Sequence, residues 1–256
     1  MLRLNASGFT HVGMRRAQNQ DSFLIASDLR LFIVADGMGG HQGGETASAM
    51  ATENIRKYME ENASPEILHS TRHKGLVIDP VIQLQKAILS ANQAIQARGQ
   101  DETALQGMGT TATALYFTDA ELYIAHVGDS RGYLLHPQRI WQITRDHSLV
   151  QEKLRAGLIT RAQLKTDRMK NVITRSVGFE SEVDVDVYKL DHNPGDTFLL
   201  CSDGLSGMLE DTDILQIVDE YVFKRNTIEM AAEKLIEAAN RAGGDDNVTA
   251  VLVQVS

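Results

Sequence analysis

Apolar residues along the chain fall into two rhythms. Short runs that alternate, or that are apolar throughout, predict strands at LFIVA (31–35), TALYF (113–117), ELYIAHV (121–127), RGYLLH (131–136), RIWQIT (139–144), VDVDVYKL (183–190), DTFLLCS (196–202) and NVTAVLVQV (247–255). Short turns join several of them, which favours antiparallel pairing. A 3.6-residue rhythm predicts helices between the strand groups. One follows a glycine run and carries Ala47, Met50, Ala51, Ile55, Tyr58 and Met59 on one face. A second runs from Asp79-Pro80, cap and first-turn proline, to Gly99, with Leu84, Ala87, Ile88, Ala91 and Ile95 apolar. A third lies near 212–224, with Ile214, Leu215, Val218, Tyr221 and Val222. A fourth opens with Asn226 and Glu229 at capping-box spacing and ends at Gly243-Gly244. Strand meanders separated by helices predict an α+β chain, with sheet packed on sheet and helices outside.

Composition narrows the class. The chain has 256 residues, 43% hydrophobic and 23% charged, enough to bury a core and ordinary for a globular protein. With four prolines and no linker-like tract, one domain over 1–256 is expected. The stretch 62–80 reads as a long surface connection. The N-terminal residues lack the apolar core of a signal peptide, and no apolar run is long enough to span a bilayer. The single cysteine, Cys201, excludes an internal disulfide and fits a reducing, cytoplasmic setting, as a small core residue. A net charge of −9 argues against nucleic acid and anionic membrane as partners.

The chemistry is signalled where strands end. LFIVA runs into Asp36-Gly37, and five of the eight residues after Asp36 are glycine. A lone Asp-Gly is a common hairpin turn. Here the chain turns helical instead, and the pattern recurs. FLLC is followed by Asp203-Gly204, Asp129 sits just past a strand, and Asp245 and Asp246 sit just before one. Carboxylates converging in a compact fold repel one another and raise each other's pKa. A hard divalent cation relieves this with oxygen ligands, and no Cys/His zinc spacing is present, so magnesium or manganese is favoured. Glycine lets the chain turn and lets backbone approach such a site closely.

At these residues the sequence resembles the metal-dependent type-2C protein serine/threonine phosphatases, above all their bacterial members. The motifs occur in family order from about Gly8 to Val255: GMRRAQNQD (13–21), VADGMGGH (34–41), MGTT (108–111), HVGDSR (126–131), DHS (146–148), NVITRSVG (171–178), LCSDGL (200–205) and GGDDNVT (243–249). The resemblance implies two packed antiparallel sheets flanked by helix pairs, a four-layer αββα sandwich. It implies that Asp36 bridges two metals and that the Gly37 carbonyl binds the second. Asp203 and Asp246 match ligands of the first. Asp129, with Asp203, matches a third, weaker site. Asp21 matches an acidic residue holding metal-bound water, and Gln20 stands where many relatives carry glutamate. Arg16 matches the phosphate-binding arginine. Many eukaryotic relatives have histidine directly after the Asp-Gly; here Met38 stands there, leaving His41 as the candidate acid.

The implied reaction is hydrolysis of phosphoserine and phosphothreonine on proteins, the targets of serine/threonine kinases. Two cations about 3.5–4 Å apart lower the pKa of a shared water for attack on phosphorus. An arginine fork neutralises charge on the phosphoryl oxygens. Cys201 and Ser202 are not needed as nucleophiles, and His11, His126 and His147 are expected to be structural or to act behind the ligands. Two other readings stand beside this one: a catalytically inactive binding module of the same fold, and a two-metal phosphodiesterase or nuclease. The intact aspartates argue against the first, and the acidic balance against the second.

Residues 148–178 are expected to form a flap. Ser148 with Gln151 and Thr160 with Gln163 are spaced as capping boxes of two short helices. The segment holds seven lysines and arginines against two acids, a net of +5 in a chain of −9. Lys165, Arg168 and Lys170 are the candidates for drawing in acidic phosphoproteins.

Overall fold

The structure is a computed structural model that describes residues 2–39, 42–62 and 79–256. The connection expected over 62–80 lies almost wholly outside the described residues. In chain order the strands are β1 (Leu4–His11), β2 (Asp21–Ala26), β3 (Leu31–Met38), β4 (Gly109–Thr110), β5 (Ala112–Phe117), β6 (Glu121–Val127), β7 (Arg131–His136), β8 (Arg139–Gln142), β9 (Asp186–Asp191), β10 (Thr197–Cys201) and β11 (Val248–Val255). The helices are α1 (Gly43–Asn62), α2 (Pro80–Asp101), α3 (Leu149–Arg155), α4 (Asp203–Ser206), α5 (Asp211–Val218) and α6 (Ile228–Ala242). One sheet has the order β1-β11-β10-β7-β8. The other has the order β2-β3-β5-β6-β9, with β4 added to β3. Every pairing is antiparallel.

Strands such as LFIVA are apolar throughout because both of their faces are covered. In β3, Phe32 and Val34 enter the layer between the sheets, while Leu31, Ile33 and Ala35 pack with Ala47, Ile55, Leu84 and Ile88 of α1 and α2. In β10, Phe198 and Leu200 face the same inner layer. Leu199 and Cys201 turn outward, to the core shared with α5 and α6. The result is helix, sheet, sheet, helix. Edge-to-face rings cross the middle: Phe32 lies 5.9 Å from Phe117, and Phe117 lies 5.6 Å from Phe198 on the facing sheet. Each such pair adds about 0.5–1.5 kcal/mol beyond area burial.

Local expectations fail where competing partners win. β1 and β2 are not evident in the hydrophobic pattern, because β1 is an edge strand built largely of small and polar residues. The strand expected over 183–190 begins only at Asp186. Val183 and Val185 pack on the core, but ahead of the ladder. The helix expected near 212–224 is α5 followed by a π-helical turn over Asp219–Lys224. Asn226 is not an N-cap: it takes φ 54°, and Thr227 holds the N-cap position of α6 without a side-chain capping bond, its hydroxyl donating to Tyr221 O. Ser148 makes no capping bond, and the Gln151 amide reaches Asp146 at 3.5 Å. Thr160 and Gln163 do form their box, on a 3-10 turn over Arg161–Thr166.

Candidate metal centre

The antiparallel sandwich brings one set of strand ends to one place. Asp36 lies near the end of β3, directly opposite Asp21 at the start of β2. Asp203 opens α4 behind β10, Asp129 lies between β6 and β7, and Asp246 precedes β11 by two residues. Arg16, Asp129, Asp203 and Asp246 line one cleft of about 990 Å³. The charges of Asp21, Asp203, Asp129 and Asp246 all act on Asp36, so the expected ligand carboxylates share one neighbourhood.

Both Asp-Gly pairs have the same local cause. A Cβ on Gly37 would stand 2.1 Å from the Gly44 carbonyl and 2.5 Å from that of Gln20. The first turn of α1 therefore comes down onto the end of β3, and only glycine fits between them. A Cβ on Gly204 would stand 2.0 Å from the Asn247 carbonyl. In each case the glycine lets a second backbone cross directly behind the carboxylate.

The backbone of Asp36 is held on both sides. Its N–H donates to Thr111 Oγ1 at 2.9 Å, and its carbonyl accepts from Thr111 N at 2.8 Å and Thr110 Oγ1 at 2.9 Å. Asn247 joins the loops. Its Oδ1 accepts from Gln20 N at 2.8 Å, and its Nδ2 donates to Val12 O at 2.9 Å and Gln18 O at 2.8 Å. This fixes the 12–20 loop that carries Arg16, whose Nη2 meets Asp246 Oδ2 at 2.6 Å. Thr110 and Thr111 lie in the motif MGTT and Asn247 in GGDDNVT. Nothing in spacing alone says that a threonine holds a ligand's main chain.

Electrostatics mark the site as a place for cations. Burial and the nearby Asp203 and Asp246 charges push Asp21 up to about 7, against hydrogen bonds from Thr249 Oγ1 at 2.6 Å and Ser202 Oγ at 2.8 Å. Burial, then the Asp203 charge, pushes Asp129 up to about 8. Burial and the surrounding aspartates raise Asp36 well above the usual carboxylate range, and burial and Asp246 raise Asp203. Asp21 Oδ1 and Asp129 Oδ1 are buried without a hydrogen-bond partner. Among the described residues, no three His, Cys, Asp or Glu side chains are already closed around one point. The fit to hard divalent cations rests instead on all-oxygen donors, orphaned carboxylate oxygens and mutual repulsion.

The remaining candidates divide. His41 lies outside the described residues, and so does the side chain of Lys165. His126 Nε2 bonds Arg145 O at 3.1 Å, and burial pushes the ring down to about 4. His147 Nδ1 accepts from Gly128 N, and its Nε2 faces Asp186. His11 Nδ1 accepts from Gly13 N. All three are held by protein partners. In the flap, Lys170 lines the cleft, as does Arg161; Arg168 is exposed and is not part of the cleft lining. Lys153 pairs with Asp167 inside the flap at 3.1 Å and Arg175 with Asp186 of β9 at 3.0 Å, so part of the flap's charge is already neutralised.

The raised carboxylates set a pH dependence with a definite sign. Their folded pKa values lie above the unfolded ones, so protonation favours the folded chain. In cation-free solution that stability is full below about pH 4 and is lost as pH rises through about 7 and 8, the values for Asp21 and Asp129. Divalent cations bind the ionised forms, so their stabilisation grows with pH. Thermal melts in chelator should fall between pH 6 and 8, and the rise in Tm on adding magnesium should widen over the same range. A magnesium increment that is flat or shrinking with pH would count against the cluster.

Comparison with known proteins agrees with this geometry. Residues 11–239 match the family described as protein phosphatase 2C. A serine/threonine phosphatase stp of Listeria monocytogenes is 36% identical over 256 residues, covering 98% of this chain and 96% of that protein. The crystal structure of the Mycobacterium tuberculosis serine/threonine phosphatase PstP/Ppp superposes with a TM-score of 0.85 at 34% identity, over 99% of each chain. A PstP catalytic domain in complex with two manganese ions gives a TM-score of 0.84 at 34% identity, over 100% of this chain and 99% of that one. A chain that matches the family over most of its length and shares its fold from β1 to β11 belongs to the protein phosphatase 2C family.

Proposed function

We propose that this chain hydrolyses phosphoserine and phosphothreonine on proteins, with two divalent cations held at the carboxylate cluster. The observation that carries the reading is the gathering of Asp129, Asp203, Asp246 and Arg16 along one cleft, with the buried Asp36 carboxylate within reach of the aspartates' charges. Asp36 and the Gly37 carbonyl would help hold the cations. Asp203 and Asp246 would hold one of them, and Asp129 with Asp203 would offer a further position. Asp21, buried and anchored by Ser202 and Thr249, would orient water bound by the set. Bound magnesium or manganese supplies Lewis acidity and an acidified water at neutral pH. Arg16 spends one of five N–H donors on Asp246, leaving the rest of its fork for phosphoryl oxygens. His41 is the proposed proton donor to the leaving alkoxide, since Met38 has no proton to give. The whole chain acts as one catalytic domain, with 148–178 as its flap. Its partners are phosphoproteins made by serine/threonine kinases. We place it in the cytoplasm, a reading supported by a free buried Cys201; no helix among the described residues is long and apolar enough to cross a membrane.

The direct test sets a phosphopeptide beside a DNA and a bis-ester substrate, each with manganese and with chelator. Release of phosphate from the peptide alone, dependent on manganese, is the expected result. Asp36→Asn should lose several orders of magnitude in rate while its circular dichroism stays native. Full activity in excess chelator would sink the reading.

Arg16→Ala should lower kcat/KM by roughly 10²-fold or more, the scale of losing a charged donor to the transition state. Cation affinity should change much less. Wild-type kinetics would return Arg16 to a purely structural partnership with Asp246.

The flap is proposed to select protein substrates. The cleft is lined by Arg161 and Lys170 from the flap and by Glu210 and Asp211 from the segment that opens α5. Replacing Lys165, Arg168 and Lys170 together by glutamine should slow dephosphorylation of an acidic phosphoprotein, most at low salt. Hydrolysis of a small aryl phosphate should hardly change. Because Lys170 lines the cleft and Arg168 does not, single replacements should rank in that order. Equal losses on both substrates would count against selection by charge.

A further inference from the structure

We infer that Asn92, a residue of α2 absent from every motif above, is a positioning residue for the catalytic cluster. It acts through the root of the flap. This rests on the phosphatase reading for its kinetic consequences but not for its structural ones. Asn92 is fully buried, where an amide is costly unless its groups are paired. All its partners lie at the flap's returning end. Its Oδ1 accepts from Gly178 N at 2.6 Å, and its Nδ2 donates to Glu180 O at 2.9 Å and Ser181 O at 3.3 Å. The amide orientation follows from those partners: one N–H faces one side of the group and two carbonyls face the other.

The residue before Gly178 continues the connection. Val177 and Thr110 exchange two backbone hydrogen bonds, at 2.8 and 2.9 Å, as an isolated bridge. Thr110 then turns its hydroxyl onto the Asp36 carbonyl at 2.9 Å. The chain of contacts is Asn92, Gly178, Val177, Thr110, Asp36. Val177, Gly178, Thr110 and Asn92 are all buried, so water cannot replace a lost partner without opening the core. A flap displaced at this root takes Thr110 with it and loosens the main chain beneath the Asp36 carboxylate. The helix layer thereby sets the register of the site from behind, at a point where no substrate reaches.

The test separates positioning from plain structural support. Asn92→Ala, assayed well below its Tm, should lower kcat on a small aryl phosphate about tenfold, the scale of one hydrogen bond lost from the chain. KM should stay within about twofold, since no group that touches substrate has changed. Calorimetry should show weaker manganese binding, and the Thr110 and Val177 amides should exchange faster. Asn92→Asp adds a pH signature. As a neutral acid it keeps one acceptor and one O–H donor; ionised, it faces the Glu180 and Ser181 carbonyls and repels them. Its activity relative to the parent should therefore fall as pH rises. Thr110→Val cuts the same connection nearer to Asp36 and should match Asn92→Ala, whereas Thr110→Ser should stay close to the parent. A lowered Tm with unchanged kcat, manganese affinity and Thr110 exchange would overturn the inference, as would an Asn92→Asp profile parallel to the parent. If the parent itself releases no phosphate, the phosphatase reading fails, and calorimetry and amide exchange still decide the connection.

Discussion

Everything at this site follows from forcing several negative charges to one end of a sandwich. Asp36, Asp203, Asp129 and Asp21 are each raised by burial and by neighbouring aspartates, and Arg131 beside Asp129 and Asp203 offsets only part of this. Arg16 answers only part of the field, through Asp246. Rigid strand ends keep the carboxylates from moving apart, and Ser202, Thr249, Thr110 and Thr111 hold their supports in place. Repulsion is thus stored by the architecture and is available to be relieved by hard cations.

The same architecture separates the acidic cluster from the segment 148–178. The carboxylates come from strands whose faces are covered on both sides. The flap is a surface insertion anchored at its two roots, near Gly128 at one end and Thr110 at the other. A rigid centre beside a less embedded arm allows the arm's charges to vary without disturbing the ligands. One cleft is lined by Asp203 and Asp246 and also by Arg161 and Lys170, so the acidic cluster and the basic segment share a surface.

How far the sequence could be read depends on what each residue's side chain reports. LFIVA and FLLC were legible because both faces of β3 and β10 are apolar. The Asp-Gly pairs behind them were legible because glycine after a carboxylate, repeated, has few other uses. β1 was not legible: Asn5, Ser7 and Thr10 read as loop residues, and its place in the sheet comes from its partner β11. Asn226 misled because asparagine suits both an N-cap and a left-handed turn, and the turn won. VDVDV showed the correct alternating face but not where the ladder starts, since hydrogen-bond partners lie in another strand. Within the site, the ligand candidates were visible as charges at strand ends. Asn247, Thr110 and Asn92 were not, because their importance lies in which distant main-chain groups they meet.

The pairing of β1 with β11 runs over eight residue pairs, from Leu4 opposite Val255 to His11 opposite Val248. β11 also pairs with β10, so this sheet has its last-made strand near the middle and its first-made strand at the edge. During synthesis the earlier strands of the sheet wait, with an open gap, for the segment that also delivers Asp246 and Asn247. Contacts this distant in sequence slow folding, because loop closure precedes any gain from pairing. A nascent chain therefore holds an incomplete sandwich until β11 arrives, and the acidic centre is assembled in the same event that closes the sheet.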